Sequence, residues 1–252
     1  MTKTIIKFFF KLQTLFFGRL INEIKTFNER NSLQSLIDKN SSEEAFNIFK
    51  DEFKQKILIN DDDPFLARKK ILEYSLSQIQ KSSLEKSNNK NLILEFGVFK
   101  GTSINIIGKY FLHDQNIKIV GFDTFTGLNE DWKGNYQAKG SMNLDGKIPN
   151  VQNNTSLIKG KIQDTLLPFL EKEKLKVLFI NIDVDTYETT KFILQNLKSR
   201  LSKGTIINFD DFYNYPGWTN GEYKALKETF NDDEYEYLAF STKKGHVSIK
   251  LN

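Results

Sequence analysis

Leu92-Ile-Leu-Glu95-Phe-Gly97-Val-Phe-Lys-Gly101-Thr-Ser103, followed by Gly121-Phe-Asp123, decides how this 252-residue chain is read. An unbroken apolar run of strand type delivers Glu95. A turn built on Gly97 and Gly101 lets backbone approach a ligand closely, and Thr102 and Ser103 open an amphipathic helix. A strand, a glycine turn and a helix in that order make a cradle of the nucleotide-binding kind. The spacing is E-x-G-x-x-x-G, whereas a pyrophosphate seated on a helix end calls for G-x-G-x-x-G, so phosphate recognition is disfavoured. That argues against a nicotinamide-dependent oxidoreductase, which shares the same start. Asp123 ends the next strand, where an acid can accept both hydroxyls of a ribose.

Outward from this stretch, strand patterns near 91–96, 117–122, 155–158, 176–182 and 204–209 alternate with helix patterns near 103–112, 163–173 and 187–201. The alternation predicts an α/β fold with a doubly wound, mostly parallel sheet covered by helices. A helix near 220–230 precedes two β-rich runs, Tyr235 to Phe240 and His246 to Lys250, joined at Lys243-Lys-Gly245. They add an antiparallel hairpin at the sheet edge and bring the count to seven strands. The connection over 124–154 exceeds ordinary loop lengths and is expected to be a substrate lid or binding loop.

Ligands of an open parallel sheet bind beyond the carboxyl ends of its strands. Strand 176–182 ends in Asp183-Val-Asp185 and strand 204–209 in Asp210-Asp211, so four carboxylates gather beside the cradle. They repel one another unless a cation neutralises them. Oxygen ligands without Cys suit Mg²⁺, Mn²⁺ or Ca²⁺ better than Zn²⁺. Asp210 and Asp211 are the first candidates, with Asp183 or Asp185 as the third ligand. Helix capping is the competing role, open to Asp185 ahead of Thr186. Asp61-Asp-Asp63 before Pro64 reads instead as the cap and dipole partner of a helix over 64–80.

The acid and the wide glycine loop resemble motif I of the class I S-adenosylmethionine-dependent methyltransferases. The resemblance implies S-adenosylmethionine as cofactor, its amino-acid end facing Glu95, Gly97 and Gly101, with Thr102 and Ser103 alongside. Asp123 would hold the ribose, and Gln163 and Asp164 would border the adenine. Together with Gly121-Phe-Asp123-Thr-Phe-Thr-Gly127-Leu, Asp164-Thr-Leu-Leu-Pro168, Ile182-Asp183-Val-Asp185-Thr-Tyr187-Glu-Thr-Thr190 and Phe209-Asp210-Asp211-Phe, the pattern over roughly 90–250 is similar to the macrocin O-methyltransferase family. That likeness implies a seven-stranded Rossmann-like sheet, methylation of a sugar hydroxyl, and Mg²⁺ at Asp183 or Asp185, Asp210 and Asp211. Asp183 is also expected beside the cofactor, and a carboxylate near the hydroxyl, Asp185, is expected to take its proton as base. Phe212 stands where the family often has Tyr. The following Tyr213-Asn-Tyr215-Pro-Gly-Trp218 could stack on a sugar ring or pack at the edge. The acceptor is expected to be a small molecule or a glycan. A non-catalytic binding protein on the same fold is disfavoured by the intact set of acids.

A net charge of +4, from 36 basic and 32 acidic side chains, gives no case for nucleic acid. Absence of Cys excludes disulfides and thiolate metal sites and accords with a cytoplasmic protein. Residues 1–90 read as a helical N-terminal extension and 91–252 as the cofactor-binding domain. Residues 1–30 form a Phe-rich amphipathic pattern broken by Lys3, Lys7, Lys11 and Arg19. Those charges exclude a membrane span, which needs about 20 nearly uncharged residues, and no small-residue cleavage site follows. The Phe face is expected to pack on the domain or on a second copy in a homo-oligomer, with peripheral membrane contact as the other reading. Ser41 or Ser42 is expected to cap a helix through Phe46, Ile48, Phe49 and Phe53, and His113 and His246 read as bystanders.

Overall fold

The computed structural model describes residues 39–79, 91–133 and 137–252. The helix expected over 1–30, with its packing or membrane role, lies outside them. Every residue of β2 (Asn91–Phe96) is buried, as a strand covered on both faces requires. Leu92, Leu94 and Phe96 enter one core and Ile93 the other, so the period-two alternation serves two layers.

Eight strands form a single sheet in the order β1-β7-β8-β6-β5-β2-β3-β4. The others are β1 (Ile57–Ile59), β3 (Ile117–Asp123), β4 (Thr155–Lys159), β5 (Lys176–Ile182), β6 (Ile206–Phe209), β7 (Tyr235–Ser241) and β8 (Val247–Leu251). β2 through β6 pair in parallel, and β8 runs antiparallel to both β6 and β7. The chain moves outward from β2 to β4, then returns to place β5 on the other side of β2. This reversal opens a crevice at the carboxyl ends of β2 and β5.

The sheet has eight strands, not the seven expected. β1 joins parallel to β7, with Ile57 opposite Ala239, so the β7–β8 hairpin is internal. Three apolar residues ahead of three aspartates and a proline are too few to register as a period. The expected division at residue 90 thus falls between segments that build one sheet.

Two cores flank the sheet. On one face α3 (Pro64–Ser77) and α4 (Thr102–Tyr110) bury Leu72, Leu76, Ile104 and Ile107 against Ile93, Ile119, Phe179 and Ile206. On the other, α1 (39–49), α5 (Ile162–Lys172), α6 (Tyr187–Leu197) and α7 (Glu222–Thr229) bury Phe49, Leu166, Leu194 and Leu226 against Leu94, Phe122, Ile180 and Phe209. The short α2 (Glu52–Gln55) follows α1. Helix α1 is already helical at residue 39, so Ser41 and Ser42 lie within it rather than at its cap. Asp63 does cap α3, accepting from Leu66 N–H at 2.9 Å, while Asp61 pairs with Lys70 at 2.7 Å. Among the described residues no helix is long and apolar enough to cross a membrane.

Phe49 is the centre of an aromatic cluster, its ring centroid within 6.1 Å of those of Phe53, Phe212, Tyr213, Trp218, Tyr223, Tyr237 and Phe240. Tyr213 and Trp218 are therefore core residues and not a sugar-stacking platform. Phe49→Ala is expected to cost about 3–5 kcal/mol, read from the midpoint of urea unfolding, because one deletion unsupports many rings.

Candidate active site

A buried polar rung crosses the sheet one step below the crevice. Glu95, Asn181 and Asn208 stand opposite one another on β2, β5 and β6. The Asn208 amide donates to Asn181 Oδ1 at 2.8 Å, and the Asn181 amide donates to Glu95 Oε2 at 3.3 Å. Each rung member precedes by two residues a group at the crevice: Gly97, Asp183 and Asp210. Alternation in a strand therefore sets all six on the face covered by α3. Glu95, expected at the cofactor's amino end, is fully buried within this rung and does not line the cavity above it. Burial holds its carboxyl well above the ordinary Glu range.

That cavity measures about 550 Å³, within the range that holds a small ligand. The cradle side of its lining includes Gly97, Phe99, Thr102, Ser103 and Asp123. Gly97 has a left-handed φ of 85°, and a Cβ there would sit 1.7 Å from the Asp183 carbonyl oxygen. The glycine is thus required by strand-end packing, and its bare backbone faces the cavity as a result. Gly101 lies outside the lining and starts α4 at φ 82°, the role of a tight turn. Asp123 accepts from Val98 N–H at 2.8 Å, Phe99 N–H at 2.7 Å and Phe125 N–H at 2.7 Å. It fixes the cradle turn while still facing the cavity. Gln163 and Asp164 are exposed on the first turn of α5 outside the lining, and their neighbour Ile162 lines the cavity instead. The 124–154 connection supplies Leu128, Asn129, Glu130, Trp132, Gln137 and Met142 to the opposite wall.

The four strand-tip aspartates divide into two groups. Asp183, Asp185 and Asp211 each place one oxygen within 4.8 Å of the others. Asp185 has a left-handed φ of 63°, and Thr186 N–H reaches back to the Val184 carbonyl at 2.7 Å, closing a strained three-residue turn. Such backbone costs about 1–3 kcal/mol and collects at functional sites. Thr186, not Asp185, holds the N-cap position of α6, where no side chain makes a cap bond, so capping does not occupy the Asp185 carboxylate.

Asp210 stands apart from this triad. Arg68 Nε donates to its Oδ1 at 2.8 Å, Arg68 Nη2 bonds its Oδ2, and His246 Nδ1 lies 3.1 Å from Oδ1. The sequence reading of Asp210 as a metal ligand meets a carboxylate already engaged on both oxygens, and His246, read as a bystander, is one of its partners. Arg68 Nη2 also lies 3.7 Å from Asp183 Oδ2. Glu222, fully buried, accepts from Asp211 N–H at 3.1 Å.

Electrostatics follows this division. Burial, then the charge of Asp210, pushes the Asp183 and Asp211 carboxyls well above their ordinary range. Burial, then Asp183, pushes Asp185 up to about 7. Asp210 feels burial too, but His246 and Arg68 outweigh it and hold it below the usual carboxylate range. Arg68, also opposed by burial, is raised by Asp210 and Asp183. With the one guanidinium mostly committed to Asp210, the remaining three hard oxygen donors suit a divalent cation.

A pH dependence follows for protein kept in chelator. Groups whose folded pKa is raised stabilise most below their unfolded value and lose that contribution as pH rises through the folded one. For Asp185 the window runs from 3.8 to about 7, and Asp183 and Asp211 act in the same sense. Asp210 acts oppositely, losing its contribution as pH falls below the ordinary Asp range. Thermal unfolding in chelator is expected to show Tm falling from about pH 5 to pH 7, with Mg²⁺ reversing the fall. A Tm that rises over that interval, with no Mg²⁺ response, contradicts the arrangement.

Comparison with known proteins places this geometry. The methyltransferase domain family matches residues 94–212, which span the cradle, the rung and all four aspartates. The calicheamicin methyltransferase CalS11 superposes with a TM-score of 0.58 at 21% identity, covering 72% of this chain and 77% of that one. An apo structure of CalS11, described as a TDP-rhamnose 3'-O-methyltransferase, gives 0.53 at 20% identity over 72% and 78%. The O-methyltransferase NovP gives 0.51 at 18% identity over 73% and 80%. No curated protein matches the chain. At such identities the likeness establishes the class I methyltransferase fold.

Proposed function

We propose that this chain is a class I S-adenosylmethionine-dependent methyltransferase that methylates a hydroxyl group of a sugar or glycosylated small molecule with the help of a divalent cation. The observation that carries the reading is the acid triad of Asp183, Asp185 and Asp211 opening onto the same cavity as the Gly97 and Asp123 cradle. The sugar class is supported by CalS11, described as acting on TDP-rhamnose, and hydroxyl transfer by NovP.

Asp183 and Asp211 would hold the ion, and Mg²⁺ fits their hard oxygens. Such an ion supplies Lewis acidity that makes a sugar hydroxyl more acidic. Asp185, held on its strained turn with a pKa near neutrality, takes the hydroxyl proton as the acceptor oxygen bonds to the methyl carbon and the methyl–sulfur bond breaks, the sulfonium leaving as a neutral thioether. Gly97 backbone and the turn clamped by Asp123 seat the sulfonium donor, and the loop residues Leu128 and Trp132 screen the opposite wall from water. Alignment of donor and acceptor can contribute on the order of 7–11 kcal/mol.

The test is incubation with methyl-labelled S-adenosylmethionine, Mg²⁺ and a panel of nucleotide sugars and glycosides, with the label located by mass spectrometry. Label on a sugar oxygen that disappears in chelator is expected. Label on nitrogen or carbon removes the hydroxyl assignment, and full transfer in chelator removes the ion.

A further inference from the structure

Among the lining residues, Arg68 is the one delivered by the N-terminal segment. It lies on the buried stripe of α3 with Ile71, Leu72, Ser75 and Leu76, the last four of which are buried. Lower on that stripe Ser75 donates to Ser248 at 2.8 Å, beside Asn208 in the sheet, so the helix is anchored at both levels. The guanidinium lies between β5 and β6, bonding Asp210 through Nε and Nη2 and standing 3.7 Å from Asp183. It therefore occupies space between two of the four strand-tip carboxylates. His246 secures the far side of Asp210, its Nδ1 2.6 Å from the Asp210 carbonyl oxygen.

We infer that Arg68 is a positioning residue that decides which carboxylates a divalent cation can reach. By engaging both Asp210 oxygens it withholds the fourth carboxylate and confines the ion to the triad side of the site, where Asp183 and Asp211 would hold it next to Asp185. By standing beside Asp183 it also opposes the ion's charge. The inference deepens the cation reading above and rests on it for the identity of the ligand.

Removing the guanidinium leaves Asp210 with His246 alone, its Oδ2 uncovered, and the cluster one positive charge poorer. Both changes strengthen attraction for a cation, since close charges in a partly buried site interact far more strongly than in water. Arg68→Met is therefore expected to lower Tm in chelator, because Asp210 loses its two-pronged partner and keeps only His246. It is also expected to tighten Mn²⁺ or Mg²⁺ binding on the order of tenfold by calorimetry. A merely structural role would lower Tm with and without the ion and leave affinity where it was. Asp210→Asn should act in the opposite direction, freeing Arg68 toward Asp183 and weakening the ion. The double variant with Arg68→Met and Asp210→Asn should return affinity close to that of the parent protein and guards against loss of fold from an unpaired buried charge. Arg68→Lys, which keeps the charge but not the two-pronged geometry, should fall between.

Tighter binding in Arg68→Met than in the parent supports the inference, even if the parent binds no ion at all, an outcome that would remove the cation from the reaction while leaving Arg68 as what excludes it. Parent binding with unchanged or weaker binding in Arg68→Met overturns the inference alone. Absence of any divalent response in both proteins overturns it together with the cation reading.

Discussion

Asp185→Asn is expected to lower methyl transfer by about 10²- to 10⁴-fold, the range associated with loss of a positioned general base. The amide keeps the shape of the carboxylate but cannot accept the hydroxyl proton at the point of attack. Cofactor affinity should change little, because the cradle around Gly97 and Asp123 is built from other elements. The measurement is single-turnover transfer alongside S-adenosylmethionine binding by calorimetry. In the parent enzyme the rate should rise with pH through the pKa that the loaded site gives Asp185, and the residual activity of Asp185→Asn should lose that limb. Transfer within threefold of the parent excludes Asp185 as the base.

The largest stability effect is expected at Gly97→Ala. A left-handed backbone costs an L-residue about 1–2 kcal/mol, and forcing a methyl into packed structure typically adds about 1–3 kcal/mol or more. Here the added carbon would lie 1.7 Å from a main-chain oxygen on the adjacent strand, which no rotamer change relieves. A loss of at least about 4 kcal/mol, a large share of a domain's total stability, is expected in urea titration. Insoluble expression agrees with it. A midpoint equal to the parent's contradicts the close approach of β2 and β5.

The central strands β2, β3, β5 and β6 were legible because each is a largely apolar run that ends at or just before a glycine or aspartate, and buried parallel strands leave that mark. The acids at 183, 185, 210 and 211 were legible for the same reason, as strand tips of a doubly wound sheet meet at one crevice. Division of those four into a triad and an ion pair was not. It depends on Arg68, whose partner is 142 positions away along the chain. A trace of it existed: an arginine among Ile71, Leu72, Ser75 and Leu76 at helical spacing is a cation on a buried stripe, which calls for a partner. Glu95 was visible, but its place in the rung was not. Alternation sets its side chain on the α3 face one step below the crevice, and that Asn181 and Asn208 stand opposite it there follows only from pairing register. Tyr213 and Trp218 misled in the other direction, since their position after a strand tip suggested a ligand wall. The aromatic mass around Phe49, brought in from α1, claims them for the core.

Because residues 39–79 supply one edge strand, the hub of the aromatic cluster and the guanidinium at the acids, this chain resists modular exchange. A chimera that inherits residues 91–252 from one parent and the preceding segment from another must match at a strand edge, a ring cluster and a charge pair simultaneously. Recombination between relatives can therefore succeed only when both portions travel as one block.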